Sequence, residues 1–233
     1  MRHKAINDKI MDARNTHTQP GTPASTPVSA AHWAASLSNQ SMTLPVCVRR
    51  GRIWAGMDNP LLLWADVETT SLDPAEGDLL EIGLRYTDMG LKRLDDGLST
   101  PIRWSGTPDP FTRAMHTPNG LLAACRDAPP LAQVIVWARR YVERRLDGHT
   151  VLLAGSSVSF DRTWIDTHMP SVLDGVHHRI LDVSSLLVAI RAWAPDLADR
   201  LPRHGTDHRV DTCLDGSMAT CRAIMEDMAC THF

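Results

Sequence analysis

Asp66 and Glu68 stand one residue apart in the run LLLWADVETTSLDP, directly after a string of apolar residues. Residues 61–67 read as a short buried strand closed by turn chemistry at 71–74. Along a strand, residues i and i+2 share a face, so the two carboxylates emerge side by side at its end. Like charges that close repel each other unless a cation lies between them. The chemistry this suggests is a site for a hard divalent ion, Mg²⁺ or Mn²⁺. The plainer reading is two solvated acids in a turn. The choice rests on what else the chain can bring to them.

Two further residues stand where elements begin or end. Asp161 follows the apolar run TVLLAGSSV in GSSVSFDR, and faces the acidic pair if residues 150–158 form a strand beside 61–67. His208 follows the polar loop PRHGTDHR and starts the last helix. Three carboxylates and a histidine suit two-metal phosphoryl chemistry, in which cations about 4 Å apart activate a water and stabilise the leaving oxygen. The histidine, titrating near working pH, would act as general base. Taken singly, Asp161 also reads as a helix N-cap or first-turn acid, and His208 as one of eleven histidines at the surface.

The elements that must position these groups follow from periodicity. Residues 78–88 and 98–104 read as second and third strands, completing an antiparallel meander. Short helices are expected over 110–126. The span 129–146 is an amphipathic helix with Leu131, Val134, Ile135, Ala138, Tyr141, Val142 and Leu146 on one face, opened by a proline pair and closed by Gly148. Its arginines, 139, 140, 144 and 145, read as a solvated face rather than a nucleic-acid patch. A helix follows Asp161, a buried strand lies around 180–183, and a helix covers 184–193. A polar loop spans 196–207 and a final helix runs from 208 to 228. Trp64, Trp164 and Trp193 are expected to pack in the core, whereas Phe160 could pack or stack on a base. Strands first, then alternating helices and strands, make one α/β domain with a mixed sheet over 58–233.

Residues 1–57 differ. The stretch THTQPGTPASTPVS is rich in proline, threonine and serine without periodicity, and is expected to be a disordered extension. Residues 31–37 could form a brief helix and 45–56 an extended piece, and Met57 is a candidate alternative start. The chain has 233 residues, 43% hydrophobic and 22% charged, with a net charge of −3, which is ordinary for a soluble protein. That charge argues against gripping long nucleic acid by a basic field, but not against a short strand held through metal ions. No apolar run reaches membrane-spanning length and no secretion signal is evident. Five cysteines without a C-x-x-C pattern read as reduced thiols in a cytoplasmic protein.

Several segments resemble the oligoribonucleases, in the DEDDh exonuclease superfamily. WADVETTSLDP is similar to their first motif, AMHTPNGL to an M-H-x-x-S/N-G-L segment, and LLAGSSVSFDRTWI to A-G-N-S-x-x-x-D-R-x-F. HMPSVLDGVHHRILDVSSL resembles the strand and helix that follow, and HRV with the later Ser-Met resembles the last motif. The resemblance runs in order from about residue 58 to 228. It implies an RNase H-like mixed sheet flanked by helices, two divalent metals (Mg²⁺ or Mn²⁺), a homodimer, and 3′-to-5′ release of nucleoside monophosphates from short single-stranded RNA. By motif position Asp66, Glu68 and Asp161 match metal ligands and His208 the general base. Thr70 and Leu72 match the loop against the terminal nucleotide. Ser157 and Arg179 match groups near the phosphates, and Ser184 also falls on a family position.

The departures matter as much. The family's last acid falls five residues after the histidine, and here that position is Cys213. Asp211 and Asp215 flank it by two residues each, a rotation of about 200° on a helix, so either would have to swing in. A thiol is a soft ligand poorly matched to Mg²⁺. Ser156 replaces a common Asn, His178 a typical Tyr and Leu187 a typical Lys. Two alternatives stand beside the exoribonuclease reading. One is a single-stranded DNA or RNA exonuclease with relaxed length preference. The other is a catalytically weakened nucleic-acid-binding relative.

Overall fold

The computed structural model describes residues 57–230, and the expectations for 1–56 lie outside them. Strand β1 (Leu61–Thr69) is longer than its apolar run, so Asp66 and Glu68 lie within it rather than beyond it. It pairs antiparallel with β2 (Leu79–Asp88), which pairs antiparallel with β3 (Leu98–Pro101), giving the expected meander. Strands β4 (Val151–Gly155) and β5 (His177–Asp182) add in parallel on the other side of β1. The five-stranded mixed sheet has the order β3-β2-β1-β4-β5.

The period-two pattern of β1 feeds two layers. Leu61, Leu63, Ala65 and Val67 face one core with Tyr86 of β2. Helix α3 (Leu131–Glu143) and helix α4 (Val158–His168) cover that face with Val134, Ala138, Tyr141, Val158, Trp164 and Ile165. Leu62 and Trp64 face the other core, under helix α5 (Val183–Trp193) and helix α7 (Val210–Cys230), which supply Val183, Leu214 and Met218. Asp66 and Glu68 continue this second face, so both point to the side covered by α7. Short helices α1 (Pro110–His116) and α2 (Leu121–Ala124) follow β3. Asp109 caps α1 by accepting from the amides of Phe111 and Thr112, which holds its carboxyl below the usual range.

Four details depart from expectation. The span 196–207 is not all loop, because Pro195–Arg200 forms helix α6, with Pro195 in its first turn. Strand β5 is an edge strand and is largely exposed rather than buried. Trp193, expected in the core, is 84% exposed. The third strand ends at Pro101 rather than 104, with the Ile102 amide still donating to the Leu80 carbonyl at 2.8 Å. Of the arginines expected on a solvated face, 139, 140 and 144 are exposed, whereas Arg145 is half-buried and pairs with Asp95 at 3.3 Å. Arg139 pairs with Glu143 one turn on, and Arg144 lies over the Tyr141 ring.

Candidate active site

β1 runs past β4: their register ends with Trp64 beside Ala154, while β1 continues through Glu68. The acids therefore emerge beyond the carboxyl end of the parallel half of the sheet, where α/β folds place ligands. Gly155 closes β4 at a point where a Cβ would lie 2.8 Å from the Ala65 carbonyl oxygen, so only a glycine lets the chain turn away so close to the acids. Glu68 is 1% exposed and sits opposite Glu81 of β2, also buried. Two buried carboxylates on one face would be costly were both uncompensated. Arg209 removes Glu81 from the conflict through its Nε and Nη2, at 3.0 and 2.6 Å, and the Val210 amide donates to the same carboxylate at 3.2 Å. Glu81 is thus bound into the start of α7, where a negative charge suits the helix dipole.

Helix α7 brings the third donor. The Sγ of Cys213 lies with oxygens of Asp66 and Glu68 such that all three atoms are within 4.8 Å of one another. Its separation from Glu68 Oε1 is 3.8 Å, and it contacts the Thr206 hydroxyl at 3.2 Å. Neither flanking acid has swung in. Asp211 and Asp215 both pair with the buried guanidinium of Arg85 on β2, and Ser99 donates to Asp211 at 2.7 Å. Burial works against ionisation of Asp211. The Ser99 hydroxyl and Arg85 outweigh it and hold its carboxyl below the usual range. Gly83 of β2, the register partner of Asp66, allows α7 this close, since a Cβ there would lie 2.7 Å from Leu214 Cδ1 and 2.8 Å from Val210 Cβ.

Asp161 lies in the first turn of α4, buried, and its Oδ1 accepts from the Val67 amide at 2.9 Å. Its first-turn placement is as expected, and the bond to Val67 sets its carboxyl against the strand residue that lies between Asp66 and Glu68. His208 precedes α7 in a left-handed backbone conformation, φ +56°. Two residues of the AMHTPNGL segment, not singled out by their motif, lie next to this histidine. Asn119 Nδ2 donates to the carbonyls of Asp207 and His208 at 2.8 and 2.9 Å. His116, buried at the end of α1, places Nε2 3.7 Å from Glu68 Oε2, and its ring lies edge-on to His208 at 6.5 Å. The signal was the histidine three residues before an asparagine at a helix end, which lets both side chains leave one turn.

The loop after β1 is firmly built. The Thr70 amide donates to the Asp78 carbonyl, the Thr70 hydroxyl accepts from the Asp78 amide, and the Thr70 carbonyl accepts from the Thr112 hydroxyl. A Cβ at Gly77 would meet Ser71 and Trp164, so the loop carrying half-buried Leu72 is packed on α4. Phe160 packs beside Trp164 at the core margin. Ser157, itself left-handed, donates its amide to Asp182 and its hydroxyl to Ser184 at the end of β4 and β5. Ser156 and Ser217 join their hydroxyls at 2.8 Å between β4 and α7. Arg179 is exposed in a register irregularity beside Leu152 and Leu153. That point lies short of the carboxyl end of β4, beyond which the acids emerge.

Known proteins resemble this chain in sequence and in fold. The oligoribonuclease of Tropheryma whipplei (strain Twist) is 30% identical over 152 residues, covering 64% of this chain and 82% of that protein. The chain belongs to the oligoribonuclease family. The oligoribonuclease of Leifsonia xyli subsp. xyli is 35% identical over 153 residues, covering 64% of this chain and 74% of its own. No family model matches the chain. Among solved structures, exonuclease I from Methylocaldum szegediense superimposes with a TM-score of 0.57 at 14% identity, over 72% of this chain and 41% of that one. E. coli exonuclease I in complex with a 5cy-dT13 oligonucleotide gives 0.55 at 13%, over 75% and 44%. The chain spans less than half of those structures, and the likeness establishes the exonuclease fold expected from the sequence.

The donor set fits a divalent cation. Two carboxylates and one thiol converge, with Asp161 against the same strand. The thiol is the one donor that a hard cation would not select.

Proposed function

We propose that this protein is a metal-dependent 3′–5′ exoribonuclease that releases nucleoside 5′-monophosphates from short oligoribonucleotides. The observation that carries this reading is the convergence of Asp66, Glu68 and position 213 in a member of the oligoribonuclease family. Asp66, Glu68, Asp161 and Cys213 would hold the divalent ions, Mg²⁺ or Mn²⁺ in the simplest case. When bound, two such ions would supply positive charge for the attacking water and the leaving 3′ oxygen. His208 would take the proton from the water, its loop steadied by Asn119. Thr70 and Leu72 would seat the terminal nucleoside, and Ser157 would lie near the phosphates. Arg179 would reach a phosphate only at longer range, or from the partner of a homodimer. The exposed Ile180, Val188 and Trp193 on β5 and α5 support such a pairing. No helix among the described residues is long and apolar enough to cross a membrane.

The test is a 5′-labelled di- and heptaribonucleotide, alongside single-stranded DNA of equal length, with Mg²⁺, Mn²⁺ or chelator. The expected result is stepwise shortening from the 3′ end that chelator stops. Absence of cleavage with every cation overturns the reading. Equal cleavage of DNA favours the relaxed single-strand exonuclease that His178 and Leu187 suggest. Cys213 specifically favours the weakened-relative reading, for which Cys213→Asp would confer activity that the natural chain lacks.

A further inference from the structure

We propose that Cys213 turns this centre away from Mg²⁺ and toward thiophilic divalent ions of the Zn²⁺, Co²⁺ and Cd²⁺ class. The proposal rests on the exonuclease reading for the identity of the site, but concerns which cation the site selects. Its first support is placement. The Cys213 sulfur is inside the cluster of oxygens from Asp66 and Glu68, not merely near it. Its second support is that the helix has no easy alternative. Arg85 holds Asp211 and Asp215 away, while Arg209, through Glu81, and the close approach at Gly83 fix the rotation of α7. The donor presented at this position is therefore sulfur.

The chemistry follows from ligand softness. Thiolates select Zn²⁺ and its neighbours, and mixed sulfur, oxygen and nitrogen sets are ordinary zinc coordination, whereas Mg²⁺ requires oxygens. Imidazole also suits these ions, and His116 lies beside Glu68, with the His208 ring 6.5 Å from its own. His116, beside Glu68 Oε2, is placed to orient that carboxylate from outside the cluster. On ligation the Cys213 S–H bond breaks, a sulfur–metal bond forms and the proton passes to the buffer.

The experiment uses the metal-free full chain titrated with Co²⁺, followed by near-ultraviolet absorption and by competition with Zn²⁺ and Mg²⁺. A sulfur-to-cobalt charge-transfer band should appear. It should vanish in Cys213→Ser and also in Asp66→Asn, which ties it to this cluster and not to another cysteine. Cys213→Ser should weaken Zn²⁺ binding by about 10–100-fold or more, the loss expected when a supporting group of a metal site is removed. Cys213→Asp should lose the band and gain Mg²⁺ affinity. Melting curves of all variants check that each is folded. If the natural chain shows no band, or Cys213→Ser binds Zn²⁺ as tightly, the proposal fails. These outcomes are independent of cleavage. A chain that shows the band yet degrades no oligonucleotide overturns the exonuclease reading alone. A chain that cleaves with Mg²⁺ and shows no band overturns this inference alone.

Discussion

Gly83→Ala tests whether α7 is held at the site by close approach. Gly83 has no left-handed backbone angle, so alanine brings no φ strain. In a strand interior with room to spare, the change would stabilise by about 0.5–1 kcal/mol, through reduced freedom of the unfolded chain. Here the added methyl would lie 2.8 Å from Val210 Cβ and 2.7 Å from Leu214 Cδ1. The leucine end can rotate away. The valine carbon is tied to the helix backbone, so α7 must move by roughly 1 Å to restore ordinary contact. Overpacking of this kind costs about 1–3 kcal/mol, which exceeds the entropic gain and reverses the sign. For a domain of this size the expected drop in melting temperature is roughly 2–8 °C. The same shift carries Cys213 away from Asp66 and Glu68, and a displacement of about 1 Å can cost about 100-fold in turnover. Thermal unfolding and single-turnover cleavage of a labelled diribonucleotide measure both. A variant at least as stable as the natural chain, with undiminished turnover, would refute the idea that Gly83 sets the position of the helix.

Other outcomes follow from the same geometry. His208→Ala should lower turnover by about 10²–10⁴-fold and remove the acidic limb of the pH–rate profile. Asp66→Ala should do more damage and abolish binding of the ion, read by metal titration. Asn119→Ala frees the carbonyls of Asp207 and His208, so turnover should fall by about 10–100-fold while the shape of the pH profile stays the same. An altered limb would mean that Asn119 acts on the proton itself. For Asp211, whose folded pKa lies below its unfolded value of about 3.9, the stabilising contribution is complete above that value and is lost as pH falls through the folded one. The stability gap between the natural chain and Asp211→Asn should therefore be full at neutral pH and close in acid. Its side chain is 62% exposed, so screening holds the gap to about 1 kcal/mol or less, measured by denaturant unfolding. Burial pushes the Cys125 thiol up to about 11, so it should stay unlabelled by iodoacetamide at neutral pH in the folded protein, as mapped by peptide mass spectrometry.

What could be read in the sequence was whatever a period or a local signal records. The continuous apolar run over 61–67 and the 3.6-residue face of α3 mark packing surfaces, and the structure packs both against its cores. The i, i+2 spacing of Asp66 and Glu68 fixed a shared face whether the strand ended at 67 or 69. Edges are different. Whether β5 is central or peripheral depends on strand order, which no residue of HHRILD encodes, and its apolar content passed for burial. Trp193 failed for the same reason: a large aromatic predicts burial somewhere, not burial within its own chain. His116, Asn119 and Arg85 act through partners far away in sequence, and only the fold reveals those partners.

The most consequential of those distant pairs concerns the acids that flank Cys213. Bringing Asp211 or Asp215 into the cluster requires turning α7 by about 200°. That rotation would lift Val210, Leu214 and Met218 off the sheet, all of which are buried. At about 1.5–3 kcal/mol for each large side chain, the loss is roughly 4–9 kcal/mol, comparable with the whole stability of a domain. It would also leave the buried Arg85 guanidinium without its carboxylates, a further cost. A single carboxylate–cation contact would have to recover that whole sum. The sheet, the Arg85 clamp and the missing side chain at Gly83 therefore act together to choose the donor that α7 presents. Any account of catalysis in this chain has to begin from a sulfur atom where its relatives' pattern has an oxygen.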